Sequence, residues 1–432
     1  MNRKVAFKTL GCRLNQFETD SLITDFHNAG YSVVDFNLPA DVYIINTCTV
    51  TNQGDRKSNY TINKAIRTNG SDPVLVVTGC MVSGRHDPLK NRNDITYVVD
   101  NKRKGSILSL IDAHYRGEIM DPESLPGNVF NFSVVEKGMH TRSAVKVQDG
   151  CDNYCTYCIV PSVRGRAISR PVDDILDNIR SLLELGNKEI VLTGVNISRY
   201  NYENIKFDDL VEKIIDLPGD FRVRISSIEP EGFTDKFVSL FENPKLCPHL
   251  HLCLQSGSDK VLLQMRRFYT VSQYMSLIEK FRKNYNDFNF TTDVIVCFPG
   301  ETASEFRETC SVVKEAGFSH IHTFKYSRRT GTRADRLPDQ IGEKIKNERS
   351  AVIRELSDTM KHNYRRQFIN KEQTLLVERN GSKGGARGYG EHYIPVVIQN
   401  KKLTPNTFHR IKIVGNLHDK ELTALGELAA TW

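Results

Sequence analysis

Three cysteines in eight residues, Cys151-Asp152-Asn153-Tyr154-Cys155-Thr156-Tyr157-Cys158, bring three thiolates within reach of one inorganic centre. The spacing is C-x3-C-x2-C, with no fourth cysteine nearby. Structural zinc normally takes four protein ligands, and iron–sulfur clusters are also held by cysteine thiolates. A [4Fe-4S] cluster with three protein ligands leaves one iron open to bind something else. The spacing alone is compatible with zinc and with iron–sulfur.

Three further cysteines share a position in the chain. Cys12 follows Leu10-Gly11, Cys48 follows Asn46-Thr47, and Cys80 follows Thr78-Gly79. Each comes just after an apolar run that reads as a strand: 4–10, 42–46 and 73–78. Helical patterns over 15–28 and 57–67 separate these strands, which implies βαβ units around a parallel sheet. Ligands bind at the C-terminal edge of such sheets, so three cysteines there can converge on a second three-thiolate site. A single free cysteine would instead read as a small buried hydrophobe. That reading is kept for Cys247, Cys253, Cys297 and Cys310.

Residues 116–140, with Pro122, Pro126 and Gly127 among polar residues, read as a connector. Beyond it, strands are expected over 144–148, 189–193, 222–228, 249–254, 292–298 and 320–326. Helices over 172–185, 207–215, 271–283 and 303–316 separate them. Six βα repeats fit an open, partial (β/α)6 barrel, with a long basic helix over 343–368 after it. Strands over 374–378, 393–399 and 410–414, punctuated by Gly381, Gly384, Gly385, Gly388 and Gly390, make the C-terminal end a small all-β barrel. The expected fold is therefore α/β: an N-terminal open sheet over 1–118, a central barrel over 136–370 and a β-domain over 371–432.

The chain has 432 residues, 39% of them hydrophobic, enough for several packed cores. No apolar run is long enough to span a bilayer and the N-terminus lacks a signal-peptide pattern, so no membrane role and a cytoplasmic location are expected. In that compartment ten cysteines serve as ligands or free thiols rather than disulfides. Residues 321–371 hold 13 Lys and Arg against 6 Asp and Glu, a difference of +7 that equals the net charge of the whole chain. Such a stretch is either a solvated helix face or a surface for nucleic-acid phosphates.

Two three-cysteine sets followed by a small β-domain resemble the radical S-adenosylmethionine (SAM) methylthiotransferase family over nearly the whole chain. Matching segments include 147–151 (VQDGC), 164–166 (RGR), 226–230 (SSIEP), 254–258 (LQSGS) and 298–302 (FPGET). The segment Gly11-Cys12-Arg13-Leu14-Asn15-Gln16-Phe17-Glu18-Thr19 looks most like the branch acting on N6-threonylcarbamoyladenosine (t6A) of tRNA.

The resemblance implies a radical SAM barrel and a C-terminal TRAM RNA-binding domain. It also implies two [4Fe-4S] clusters. Cys151, Cys155 and Cys158 would hold the one that reductively cleaves SAM to a radical. Cys12, Cys48 and Cys80 would hold the one that carries sulfur. The product would be t6A at position 37 carrying a methylthio group at C2. Tyr157 would pack near SAM's adenine, and Gly194, Ser226, Ser227, Glu229 and Gln255, near strand ends, would form the SAM pocket. Arg13 is a candidate for the t6A carboxylate. Arg328, Arg329 and Arg333 are candidates for RNA phosphates, with Tyr326, Arg336, Arg365 and Arg366 beside them. The partners would be tRNA, an external electron donor and a sulfur source.

Rival readings are the same chemistry on isopentenyladenosine-37 or on a ribosomal-protein aspartate, and a zinc-bound RNA-binding protein without catalysis. Two departures stand out. Cys297 occupies a position where the family usually has Gly, and Thr193-Gly194-Val195-Asn196 stands where the superfamily has Gly-Gly-Glu.

Overall fold

The computed structural model describes residues 3–68, 73–84, 89–135, 141–381, 384–417 and 423–428. Its first part is a five-stranded parallel sheet of β1 (Lys4–Thr9), β2 (Ser32–Val34), β3 (Val42–Thr47), β4 (Val74–Gly79) and β5 (Tyr97–Val99), in the order β2-β1-β3-β4-β5. All six residues of β3 and of β4 are buried. This is what a continuous apolar run becomes when helices cover both faces of a parallel sheet. One apolar layer gathers Ile45, Val77 and Ile62, and the other gathers Val5, Ile44, Val76 and Ile107. The chain leaves β1 toward one side for β2 and returns on the other for β3. That places the topological switch point between β1 and β3.

The second part is an open arc of six parallel strand positions. They are β6 (Arg142–Lys146), β9 (Glu189–Thr193), β12 with β13 (Arg222–Ile225 and Ser227–Ile228), β14 (His249–Leu252), β15 (Asn289–Val296) and β16 (His320–Lys325). The single strand expected over 222–228 breaks at Ser226, whose N–H turns to the Leu192 carbonyl at 3.1 Å. Two short antiparallel ladders decorate the arc, β7 (Gln148–Asp149) with β8 (Ile168–Ser169) and β10 (Asn201–Tyr202) with β11 (Ile205–Lys206). Helices Val172–Glu184, Phe207–Ile215, Val271–Asn284 and Ala303–Ala316 cover its outside, and Glu343–Arg366 lies along β16. One apolar core runs through this part, from Val145 to Met360.

The third part is a closed five-stranded barrel of β17 (Glu372–Asn380), β18 (Ala386–Tyr389), β19 (Pro395–Ile398), β20 (Phe408–Asn416) and β21 (Ala424–Leu428). Strands β18 and β21 were not anticipated from the sequence. The glycines around β18 read as punctuation, yet Gly388 is needed inside the strand: a Cβ there would lie 1.8 Å from the Leu376 carbonyl oxygen.

Buried ion pairs join the parts. Glu189 pairs with Arg222 at 2.6 Å and with Arg224 at 2.8 Å. The same guanidinium groups donate to main-chain carbonyls of the C-terminal barrel: Arg222 to Thr374 and Tyr389 at 2.9 Å each, Arg224 to Glu391 at 3.3 Å and Gly390 at 3.4 Å. The expected connector is packed rather than loose. Leu125, Val129 and Val135 are buried, and the Val129 carbonyl accepts from Lys146 at 2.7 Å. The boundary expected at 136 falls within 136–140, outside the described residues.

Candidate functional site

The loop bearing Cys151, Cys155 and Cys158 leaves β7 and is pinned at both ends. The Cys151 N–H donates to Gly165 O at 3.1 Å, the Thr156 N–H to Met265 O at 3.0 Å, and the Cys158 N–H to Cys155 O at 3.0 Å. Donors point at the sulfurs: Asn196 Nδ2 lies 3.7 Å from the Cys151 Sγ, and Arg267 Nη1 3.3 Å from the Cys155 Sγ. Arg267 also pairs with Glu229. Burial, followed by the neighbouring Cys155 and Cys151 sulfurs, pushes the Cys158 thiol up to about 12. Three free thiols, two of them faced by side-chain N–H donors, form a donor set fitted to a thiolate-bound cluster.

The second set meets at the switch point. Cys12 is the N-cap residue of α1 (Arg13–Asn28), Cys48 follows β3, and Cys80 opens the short helix α2 (Cys80–Gly84) straight after β4. Gly11 adopts φ +98°, and a Cβ on it would lie 2.9 Å from the Cys48 Sγ. The turn therefore brings backbone onto sulfur, leaving room only for glycine. Burial pushes the Cys48 thiol up to about 11, with Cys80 and Cys12 adding to the effect. Asn101 Nδ2 sits 3.9 Å from the Cys80 Sγ and also donates to Val163 O at 3.0 Å, in the part that carries the other set. The donor set and the glycine-made space fit a second cluster.

Between the two sets lies a buried charge network that the sequence reading missed. Glu18 is fully buried and pairs with Lys104 at 2.5 Å, Lys146 at 3.0 Å and Arg164 at 2.9 Å; Asp149 pairs with Lys146 and Arg164 at 2.6 and 3.0 Å. Burial alone would raise the Glu18 carboxyl, but the Arg164, Lys104 and Lys146 cations outweigh it and hold it well below the usual carboxylate range. Arg164 also donates to Asn15 Oδ1 at 2.7 Å, one turn from Cys12. Asp149 and Arg164 lie within segments that carried the family resemblance, but nothing in their spacing showed that they would meet Glu18.

The expected pocket residues stand as follows. Gly194 follows β9, and the next two N–H groups, of Val195 and Asn196, donate to Gln148 Oε1 at 3.1 and 2.8 Å. Gln255 has φ +62°, and its own backbone bridges Asp293 and Ile295. Tyr157 is half-buried against Val261, Met265, Phe298, Tyr326 and Ala334. Cys297 has φ +61°, the left-handed backbone that favours glycine, and it is fully buried in the core.

A cavity of about 630 Å³ opens where the three parts meet. Cys12 and Arg13 come from the first part, Ser226 and Ser227 from the arc, and Tyr389 and Tyr393 from the barrel. Arg13 Nη2 donates to the Tyr393 hydroxyl at 2.5 Å. Burial would raise that phenol, but Arg13, Arg142 and Arg224 together pull it below its ordinary value, a mark of positive potential.

Two of the expected RNA contacts need correction. Arg329 is 5% exposed and is held by Asp55 at 2.8 Å, by Thr49 O at 2.8 Å and by Asn52. It ties the first part to the second and offers nothing to phosphate. Tyr326 is buried edge-on to Phe298. Arg328 is exposed but paired with Asp335 at 2.9 Å. Arg333 is exposed and lines a second cavity, of about 540 Å³, together with Thr156.

The chain matches the Radical SAM superfamily over residues 145–313 and Uncharacterized protein family UPF0004 over residues 4–100. It is 38% identical over 425 residues to the threonylcarbamoyladenosine tRNA methylthiotransferase MtaB of Bacillus subtilis, an alignment covering 95% of this chain and 93% of the relative. To the protein of the same name from Thermotoga maritima it is 37% identical, covering 95% and 94%. To the tRNA-2-methylthio-N(6)-dimethylallyladenosine synthase of Methylacidiphilum infernorum it is 30% identical, covering 92% and 90%. Among solved structures, the radical S-adenosylmethionine methyltransferase TsrM from Kitasatospora setae, with cobalamin and a [4Fe-4S] cluster bound, superposes with TM-score 0.58 at 16% identity, covering 78% of this chain and 77% of that one. This likeness is one of fold.

Proposed function

The chain belongs to the threonylcarbamoyladenosine tRNA methylthiotransferases of the radical SAM superfamily, and from that premise we propose that it joins a methylthio group to C2 of t6A at position 37 of tRNA. It is a radical SAM enzyme whose cofactors are SAM and [4Fe-4S] clusters. Bound there, these cofactors supply the one-electron chemistry that an unactivated aromatic C–H requires.

In this reading Cys151, Cys155 and Cys158 hold the cluster that engages SAM, and Cys12, Cys48 and Cys80 hold the auxiliary one. Arg267, set by Glu229, and Asn196 donate to sulfurs of the first set and so tune its potential. Gly194, Ser226, Ser227, Glu229, Gln255 and Tyr157 surround SAM. Arg13 faces the t6A carboxylate and Arg333 faces phosphate. The parts near 1–118, 136–370 and 371–432 serve as auxiliary-cluster, radical and RNA-binding domains. An external electron donor and a sulfur source are required.

The observation that carries this reading is the junction. The two cysteine-bearing parts are locked through the Glu18 network, and Cys12 opens on a cavity walled by all three parts. A dimethylallyl group carries no charge and would find no partner in Arg13, which favours t6A over that alternative. No helix among the described residues is long and apolar enough to cross a membrane. The free thiols suit a reducing, cytoplasmic setting.

The test is an anaerobic assay with t6A-containing tRNA, SAM and a reductant. About eight irons per chain are expected if both clusters are [4Fe-4S]. Replacing Cys151, Cys155 and Cys158 by Ala should halve the iron and abolish 5′-deoxyadenosine formation. Continued 5′-deoxyadenosine release by that variant would sink the assignment.

A further inference from the structure

Strands β14, β15 and β16 line one wall of the 630 Å³ cavity with His251, Thr291, Asp293 and His322. His251 Nε2 lies 3.1 Å from Asp293 Oδ1, and its Nδ1 lies 2.9 Å from Thr291 Oγ1. One tautomer satisfies both contacts: Nε2–H donates to the carboxylate and the threonine hydroxyl donates to Nδ1. The imidazole therefore holds Asp293 in place with its remaining lone pairs toward the cavity.

The lining also carries cations: Lys361 and Arg365, from the helix Glu343–Arg366 that packs along β16, and Arg13 from the first part. Lys361 is only 9% exposed, and the carboxylate beside it, Asp358 at 3.3 Å, has a side chain 72% exposed. A solvated partner at that distance compensates a buried ammonium poorly. An anion from outside the chain would complete the pairing.

His251, Asp293 and His322 also converge within 4.8 Å, close enough to suggest a metal. Both ring nitrogens of His251 are already engaged, and three basic side chains share the cavity, so a further cation is disfavoured there. A ligand with an anionic end and hydrogen-bond donors elsewhere matches the walls instead. The volume lies in the range usual for small-molecule sites.

We propose that this cavity receives the threonylcarbamoyl group of t6A, with Lys361 and Arg13 facing its carboxylate and the His251–Asp293 pair accepting from its hydroxyl and N–H groups. The inference rests on the t6A reading and names the residues that make it selective. Asp293 also repels a carboxylate placed the wrong way round, which fixes the base in one orientation.

The experiment compares binding of anticodon stem–loop RNAs carrying t6A or plain adenosine at position 37 to the cluster-loaded full chain. The wild type should prefer t6A. Lys361→Met should cut that preference about tenfold to a hundredfold, the worth of one charge-assisted hydrogen bond. Lys361→Arg should keep much of it, which shows that the site tolerates substitution, and Asp293→Asn should lower it less. If Lys361→Met weakens both RNAs equally, the lysine meets backbone phosphate and the pocket assignment is overturned while the t6A reading stands. A wild-type chain with no preference overturns both.

Discussion

Replacing Glu18 by Gln tests the claim that the junction between the cysteine sets is held by charge. The fully buried carboxylate faces Lys104, Lys146 and Arg164, with Asp149 the second anion of the network. Gln keeps the shape but leaves three buried cations against one carboxylate. Removing one partner of a buried ionic network costs about 3–5 kcal/mol, chiefly the desolvation left uncompensated. For a chain of 432 residues the unfolding entropy is roughly 0.9 kcal/mol/K, so Tm should drop by about 3–6 °C. Anaerobic calorimetry on the cluster-loaded protein reads this directly.

The loss should shrink in the double variant Glu18→Gln, Lys104→Met, which removes one orphaned cation with its missing partner. The sign of the pH dependence follows from the depressed folded-state pKa of Glu18. Its stabilisation is complete above the ordinary carboxylate value and is lost as pH falls toward the folded one. The gap between wild type and variant should therefore be flat from pH 7 to about 5 and close below that. A Tm shift under about 1 °C, or strictly additive effects in the double variant, would refute the argument.

Arg329→Met should lower Tm by breaking the Asp55 tie yet leave the salt dependence of tRNA binding unchanged, whereas Arg333→Ala should reduce that slope by about one phosphate contact. A reduced slope in the Arg329 variant would reverse the correction made above. Cys297→Gly relieves a left-handed backbone but loses a buried thiol, so stability should move by less than about 1 kcal/mol. Cys297→Val should be clearly worse, because a β-branched residue tolerates that φ least, and denaturant titration separates the two. Arg267→Met removes a positive donor from the Cys155 sulfur, so the midpoint potential of that cluster should become more negative in an EPR-monitored redox titration; an unmoved potential would show that the contact has no electronic role.

The α/β pattern was legible because buried parallel strands such as β3 and β4 are near-continuous apolar runs, and because each candidate cysteine follows one of the strands expected near the N-terminus. In the arc, β9 was found for the same reason. Strand β18 escaped notice because its small residues answer to a neighbouring carbonyl, a tertiary constraint that looks like a turn signal in one dimension. The Glu18 network escaped notice because Glu18 meets partners as far as 146 residues away and no period links them. Arg329 misled the reading for a related reason: its basic neighbours are exposed, and only the fold shows it facing Asp55. Position 297 went the other way. The departure from glycine was visible in the sequence, and the structure shows in φ why glycine would suit that position.

Part of the grip on the C-terminal barrel is on its main chain. Arg222 and Arg224 reach the carbonyls of Thr374, Tyr389, Gly390 and Glu391, atoms that every amino acid supplies. Docking of this kind is blind to the identity of the residues being docked. Substitutions among the barrel's outward side chains therefore leave these four contacts untouched. A barrel exchanged for a relative's should still accept these backbone hydrogen bonds, whatever its side chains.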